Sequence, residues 1–164
     1  MTAVHANTDA FDGFSWHDNQ VHGLRWELGD PERGEWHHRL VLDIDHIVEW
    51  TGAGIGEGRF RVAPASLVFE DVQDLKLSVD WGESGSLRMV NFNHPTIDNI
   101  ERIPIPDAPP PFQGRYWRWS IHFNAPEGGL IAFIASGFRQ TLRTEPVVTE
   151  EQWYPTDRPR PQPF

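Results

Sequence analysis

The chain is expected to be all-β: a single antiparallel β-sandwich or a curled, open-barrel sheet, with at most one or two short helical turns. Three observations carry that expectation. Apolar and polar residues alternate over several runs of strand length. Clusters of turn formers separate those runs at short spacing. Only two places offer a helix start, and neither leads into a sustained apolar stripe.

Residues 1–15 show no periodicity and read as a loose leader to one β domain over residues 16–153. From Gln20, Leu24, Trp26 and Leu28 share one face and Arg25 and Glu27 the other. "GDPERGE" (Gly29–Glu35) is dense in turn formers, and residues 36–50 alternate again, which predicts a hairpin over residues 20–50. "TGAGIGEGR" lacks the spacing of a nucleotide loop and precedes a strand-like run, so it reads as a flexible loop. Strands follow at Arg59–Ala63, Ser66–Phe69, Leu75–Trp81 and Leu87–Phe92, with "GESGS" turning between the last two. "TIDNIERI" offers a turn or two of helix, and "IPIPDAPPPFQG" is a proline-rich crossing. Tyr116–Phe123 resumes the alternation, and "LIAFIASGF" is a continuous apolar run expected to be covered on both faces. Thr149-Glu150-Glu151-Gln152 fits a capping box for at most one turn. The tail, residues 154–164, has proline at 155, 159, 161 and 163 and reads as disordered or polyproline II.

At 164 residues one domain is expected, large enough to bury a core without disulfides. There is no cysteine, which excludes a disulfide framework, a thiolate metal site and a cysteine nucleophile. The first residues show neither a basic start nor a signal-type apolar run, and no segment nears the roughly 20 apolar residues of a membrane helix. A cytoplasmic protein with no membrane contact is expected. Acidic residues number 24 against 14 basic, for a formal net charge of −10. The excess is uneven: residues 1–110 hold 19 acids and 8 bases, residues 111–164 hold 5 and 6. Such a body repels phosphate backbones, which argues against nucleic acid. It suits a basic protein partner, or serves solubility alone.

The stretch "LVLDIDHIVEW" (Leu40–Trp50) sets two aspartates and a histidine in the most strand-like run. By period two, Leu40, Leu42, Ile44, His46 and Val48 face one way; Asp43, Asp45 and Glu49 face the other. The two aspartates project side by side, about 6.6 Å apart along a strand. A solvent face neutralised by Arg25 and Arg39 is the plain reading. If that face is open, Asp43, Asp45 and Glu49 are candidate contacts for the basic partner.

His22 shares the even register of Leu24 and Trp26, so it is expected inward and close to His46. His17 and Asp18 precede it, and three imidazoles with a carboxylate form a plausible set for zinc or non-haem iron. No cofactor at all is the simpler expectation, with both inward histidines bonded to backbone or to a buried acid. Ser136, in the most buried-looking strand, is a poor nucleophile. Among eight tryptophans, Trp26, Trp81, Trp117 and Trp119 read as core. Trp16, Trp36, Trp50 and Trp153 lie at element ends, where exposed indoles would serve a carbohydrate-binding module.

Through "WHDNQVHG", "LVLDIDHIVEW", "VFEDVQDLKLSVDW" and "SGFRQTLRTEPV" the chain resembles a group of uncharacterised β-rich bacterial proteins, over roughly residues 14–150. That resemblance implies one β-rich domain and no particular activity. More distantly, at His17 and Asp18, the chain is similar to immunity proteins of bacterial toxin systems, which act by binding. The leading expectation is a non-catalytic protein-interaction domain; the alternatives are a metal-dependent enzyme and a carbohydrate-binding module.

Overall fold

Leu40, Leu42 and Ile44 are fully buried, as their alternation requires, on the middle strand of a long antiparallel ladder. The computed structural model describes residues 4–52, 59–80 and 94–163. Within them the strands are β1 Val4–Asn7, β2 Gln20–Leu28, β3 His38–Trp50, β4 Phe60–Glu70 and β5 Gln73–Ser78. They continue with β6 Thr96–Pro104, β7 Trp117–Ala125, β8 Leu130–Ala135, β9 Gly137–Leu142 and β10 Val147–Thr149. Two 3-10 turns, Thr8–Gly13 and Pro31–Arg33, are the helical content of the described residues. The expectations for the glycine loop, for Trp81, for "GESGS" and for a strand at Leu87–Phe92 lie outside the described residues.

All pairings are antiparallel, in the order β1-β9-β4-β3-β2-β6-β7-β8-β5, with β10 on β4. This is one open sheet, and the all-β class holds. Among the described residues β2 and β6 pair only at Gln20 and Thr96, so the sheet curls there. The curl brings Phe69 of β4 against Phe133 of β8, with ring centroids 4.7 Å apart, although the two strands are far apart in the order. The main core joins the two halves: Leu42, Ile44 and Leu67 from one meet Ile97, Trp119, Ile121 and Ile131 from the other. Each such aliphatic side chain contributes roughly 1.5–3 kcal/mol when fully buried.

The hairpin over residues 20–50 is present as β2 and β3, closed through Asp30, which caps the Pro31 turn, and Gly34 in the left-handed region. Pro64 explains why two strands are expected where one, β4, exists. It lies between the part of β4 paired with β10 and the part paired with β9, so its missing N–H falls where the neighbour changes.

Several expectations are corrected. "TIDNIERI" forms most of β6, not helix; bulges around Ile97 shift the register, so Ile97 and Ile100 both face inward at a helix-like spacing. β8 is buried on alternate residues only, so its other face is half-exposed instead of covered. The leader is structured from residue 4: β1 pairs with β9, and Phe11 of the Thr8–Gly13 turn packs edge-on to Trp119 at 5.3 Å. Gly137 permits this, because a Cβ there would sit 2.2 Å from Oγ1 of Thr8. That hydroxyl accepts from the backbone N–H of Phe138 at 2.8 Å. The capping-box segment, expected to give at most one turn, stays non-helical, with Oγ1 of Thr149 accepting from the N–H of Glu151. No helix of the described residues is long and apolar enough to cross a membrane.

Candidate functional site

The outer face of β3 is not a solvent face. Asp43 and Asp45 are 6% and 1% exposed, in line with Val41 and Ile47, which are also buried. Neither Arg25 nor Arg39 neutralises them: Arg25 pairs with Glu27, and Arg39 with Glu70 at 2.7 Å. Their partners come from the far end of the chain. Arg160, in the proline-rich tail, bridges Asp43 and Asp45 through its two terminal nitrogens. Arg143 donates to Asp43, and also to the carbonyl of Ala65 at 2.9 Å and that of Pro161 at 3.1 Å. The backbone N–H of Tyr154 donates to Asp45 at 3.0 Å.

These bonds correct the expected disorder of the tail, which lies across β3 and places Tyr154 in a small second core with Ile47, Phe60 and Val62. The physical reason is charge. Two carboxylates cannot be buried unpaired, so a segment carrying cations must cover them. The condition for Asp43 and Asp45 to meet a partner, an open face, is therefore absent at both; Glu49 is exposed and pairs with Arg61 at 3.1 Å. Part of the uneven charge along the chain is likewise spent internally, two acids of the first part on two bases of the second.

Nε2 of His22 donates to Asp45 at 2.9 Å. Burial pushes the Asp45 carboxyl up, but the bonds from His22 and Arg160 outweigh it and hold the group below the ordinary carboxylate range. The contact with His22 depends on a bulge. Gln20 pairs with Asp45 and Val21 with Ile44, but Gly23 pairs with Asp43, leaving His22 as the extra residue. The bulge turns His22 away from the core, so it does not lie inward beside His46. Asp45 and His46 are consecutive on β3 and face opposite ways. On the inner side, buried Asn19 donates from its amide nitrogen to Nδ1 of His46 at 2.9 Å and accepts from the N–H of Ile47 at 3.2 Å.

His17 is half-exposed beside Asp98, 3.4 Å away. Asp18 accepts from Asn124 at 2.8 Å and from Gln152 at 3.0 Å, tying β7 to the tail. Of the four candidate metal residues, His17 and Asp18 lie 3.6 Å apart, whereas His22 is bonded to Asp45 and His46 to Asn19 on the opposite side of β3. Among the described residues no group of three or more His, Asp or Glu side chains is arranged to hold a metal ion. Ser136 is not enclosed: it lines a cleft with Tyr116 and Trp117 and donates to Asp71 at 2.7 Å, with no histidine among the described residues that line that cleft.

On the tail side, a cleft of about 440 Å³ is lined by Gln20, His22, His94, Gln152, Trp153 and Thr156, with Asp45 at its base. The His22 and His94 ring centroids are 4.2 Å apart. Burial and then the positive charge of His22 push the His94 imidazole below its ordinary value. Rings this close touch, so no reacting atom fits between them as between a general acid and a general base. Sequence reading misses Arg143, Arg160, Asn19 and His94. The one signal present is the change from a strongly acidic body to a segment after residue 110 in which bases slightly outnumber acids.

The tryptophans also divide differently from expectation. Trp119 is core, but Trp16 is buried too, its Nε1 donating to Gln140 at 2.8 Å. Trp26, expected inside, is 55% exposed beside Leu28 at 58%, and Trp36 near the hairpin turn is 78% exposed. Asp30, Glu32 and Glu35 occupy the turn between them. No family model, curated protein or solved structure matches the chain.

Proposed function

We propose that this chain is a non-catalytic, immunity-like binding domain that meets a basic partner protein at the far end of the β2–β3 hairpin. The observation that carries the reading is the exposure of Trp26, Leu28 and Trp36 around a turn whose acids, Asp30, Glu32 and Glu35, outweigh its one base, Arg33, which pairs with Asp30 at 3.3 Å. Indoles are among the side chains that most often dominate affinity at protein interfaces, and a rim of net negative charge favours a partner of the opposite charge. The hairpin end takes over the role that the sequence pattern gives to Asp43 and Asp45. The body of the hairpin is anchored by the core beneath β3, which lowers the backbone ordering cost of presenting those side chains.

The test is a pull-down from the native host with the intact chain at low and high salt, beside a Trp26→Ser/Trp36→Ser variant. The expected result is a basic protein retained at low salt, released as salt rises, and not retained by the variant. A retained protein that binds the variant equally well, or no basic protein at all, overturns the reading.

A further inference from the structure

The cleft beside the C-terminal segment is separate from the hairpin end, and its chemistry is different. Its rim carries the indole of Trp153, 36% exposed, and the imidazole of His94. Gln20, Gln152, Thr96 and Thr156 line the same cleft; the Thr96 hydroxyl donates to Asn124 and Nε2 of Gln152 to Asp18, which leaves the oxygens of both to accept. We propose that this cleft binds a neutral sugar, a pyranose stacked by its C–H face on Trp153 with its hydroxyls bonded to the amides, the threonines and His94.

Three features favour that class. The charged groups below the cleft are already matched: Arg160 is held by Asp43 and Asp45, and Asp45 is occupied by His22, Tyr154 and Arg160. Among the described residues of the cleft, neither an anion nor a cation therefore finds an unmatched countercharge. Amides and hydroxyls both donate and accept, which is what a ring of hydroxyl groups requires. Its volume lies in the range of small-ligand sites. A flat nucleobase wants two parallel walls, whereas the two imidazoles touch each other at an interplanar angle of 46° and form no slot.

The wall bearing Trp153 is itself positioned by the tail. Gln152 donates to Asp18, the Tyr154 N–H donates to Asp45, and Trp153 is fixed between these two anchors. A sugar-binding surface is thus built from a strand start and a proline-rich strap.

The intact chain would be titrated with glucose, galactose, mannose, N-acetylglucosamine and their common disaccharides, with adenosine as comparator. The Trp153 indole N–H and His94 ring resonances are followed by NMR. At least one sugar is expected to shift both saturably, and Trp153→Ala and Gln20→Leu are each expected to weaken binding about tenfold or more. Gln20→Leu keeps the strand, so it reports on the site even if Trp153→Ala unfolds the tail. Binding should be unchanged in the Trp26→Ser/Trp36→Ser variant, which separates this site from the hairpin. Absence of any saturable shift, a response to adenosine alone, or sugar binding that Gln20→Leu leaves intact would overturn the proposal.

Discussion

Replacing Arg160 with alanine removes the cation that spans Asp43 and Asp45, and the structure sets the size of the effect. Taking away one partner of a buried ion pair typically costs roughly 3–5 kcal/mol. Here Asp43 keeps Arg143, Asp45 keeps His22 and the Tyr154 N–H, and the Arg160 side chain is itself 24% exposed. The expected loss is therefore smaller, about 2–3 kcal/mol, or roughly 5–10 °C in Tm for a chain of this size. Calorimetry and urea unfolding at neutral pH measure it. Acid gives a second check. In the native protein the Asp45 carboxyl lies below its ordinary 3.8, so its contribution is complete above that value and is lost as pH falls through the folded one. In Arg160→Ala burial is offset only by His22 and the Tyr154 N–H, so Asp45 takes a proton more readily. The gap between the two proteins should thus be widest at neutral pH and narrow on acidification. High salt should change it little, because the pair is shielded from counterions. A loss below about 0.5 kcal/mol, the size of an ordinary surface substitution, would refute the reasoning.

Two further outcomes follow from the core and the leader. Asn19→Ala leaves Nδ1 of His46 and the N–H of Ile47 without their buried partner, and should cost about 2–3 kcal/mol in urea unfolding. Gly137→Ala drives a methyl into Thr8, so a loss of about 1–3 kcal/mol is expected, with faster amide exchange at Phe138.

Much of the fold is legible in the sequence because most strands alternate cleanly: Leu40, Leu42 and Ile44 on β3, or Trp119, Ile121 and Phe123 on β7. What period two cannot show is an extra residue. The bulge at His22 reverses the face that its number implies, and those around Ile97 give a strand the spacing of a helix. Nor can it show burial of a charged face. Asp43 and Asp45 alternate with apolar residues and so look solvated, yet their counterions lie 100 to 117 residues away. Local pattern reports a residue's neighbours along the chain; the candidate site is made by segments remote from one another.

That separation has a kinetic consequence. Contacts between residues 100 or more positions apart require a large loop to close, and such contacts form late in the folding of a β protein. Until Arg143 and Arg160 arrive, the hairpin carries two hydrated carboxylates on a face that must finally be dry. The ladder of β2, β3 and β4 can therefore assemble with that face still wet, and docking of the strap expels the water afterwards. Arg160→Ala should accordingly leave the refolding rate nearly unchanged and accelerate unfolding, so that the strap governs how long the native state lasts instead of how quickly it is reached.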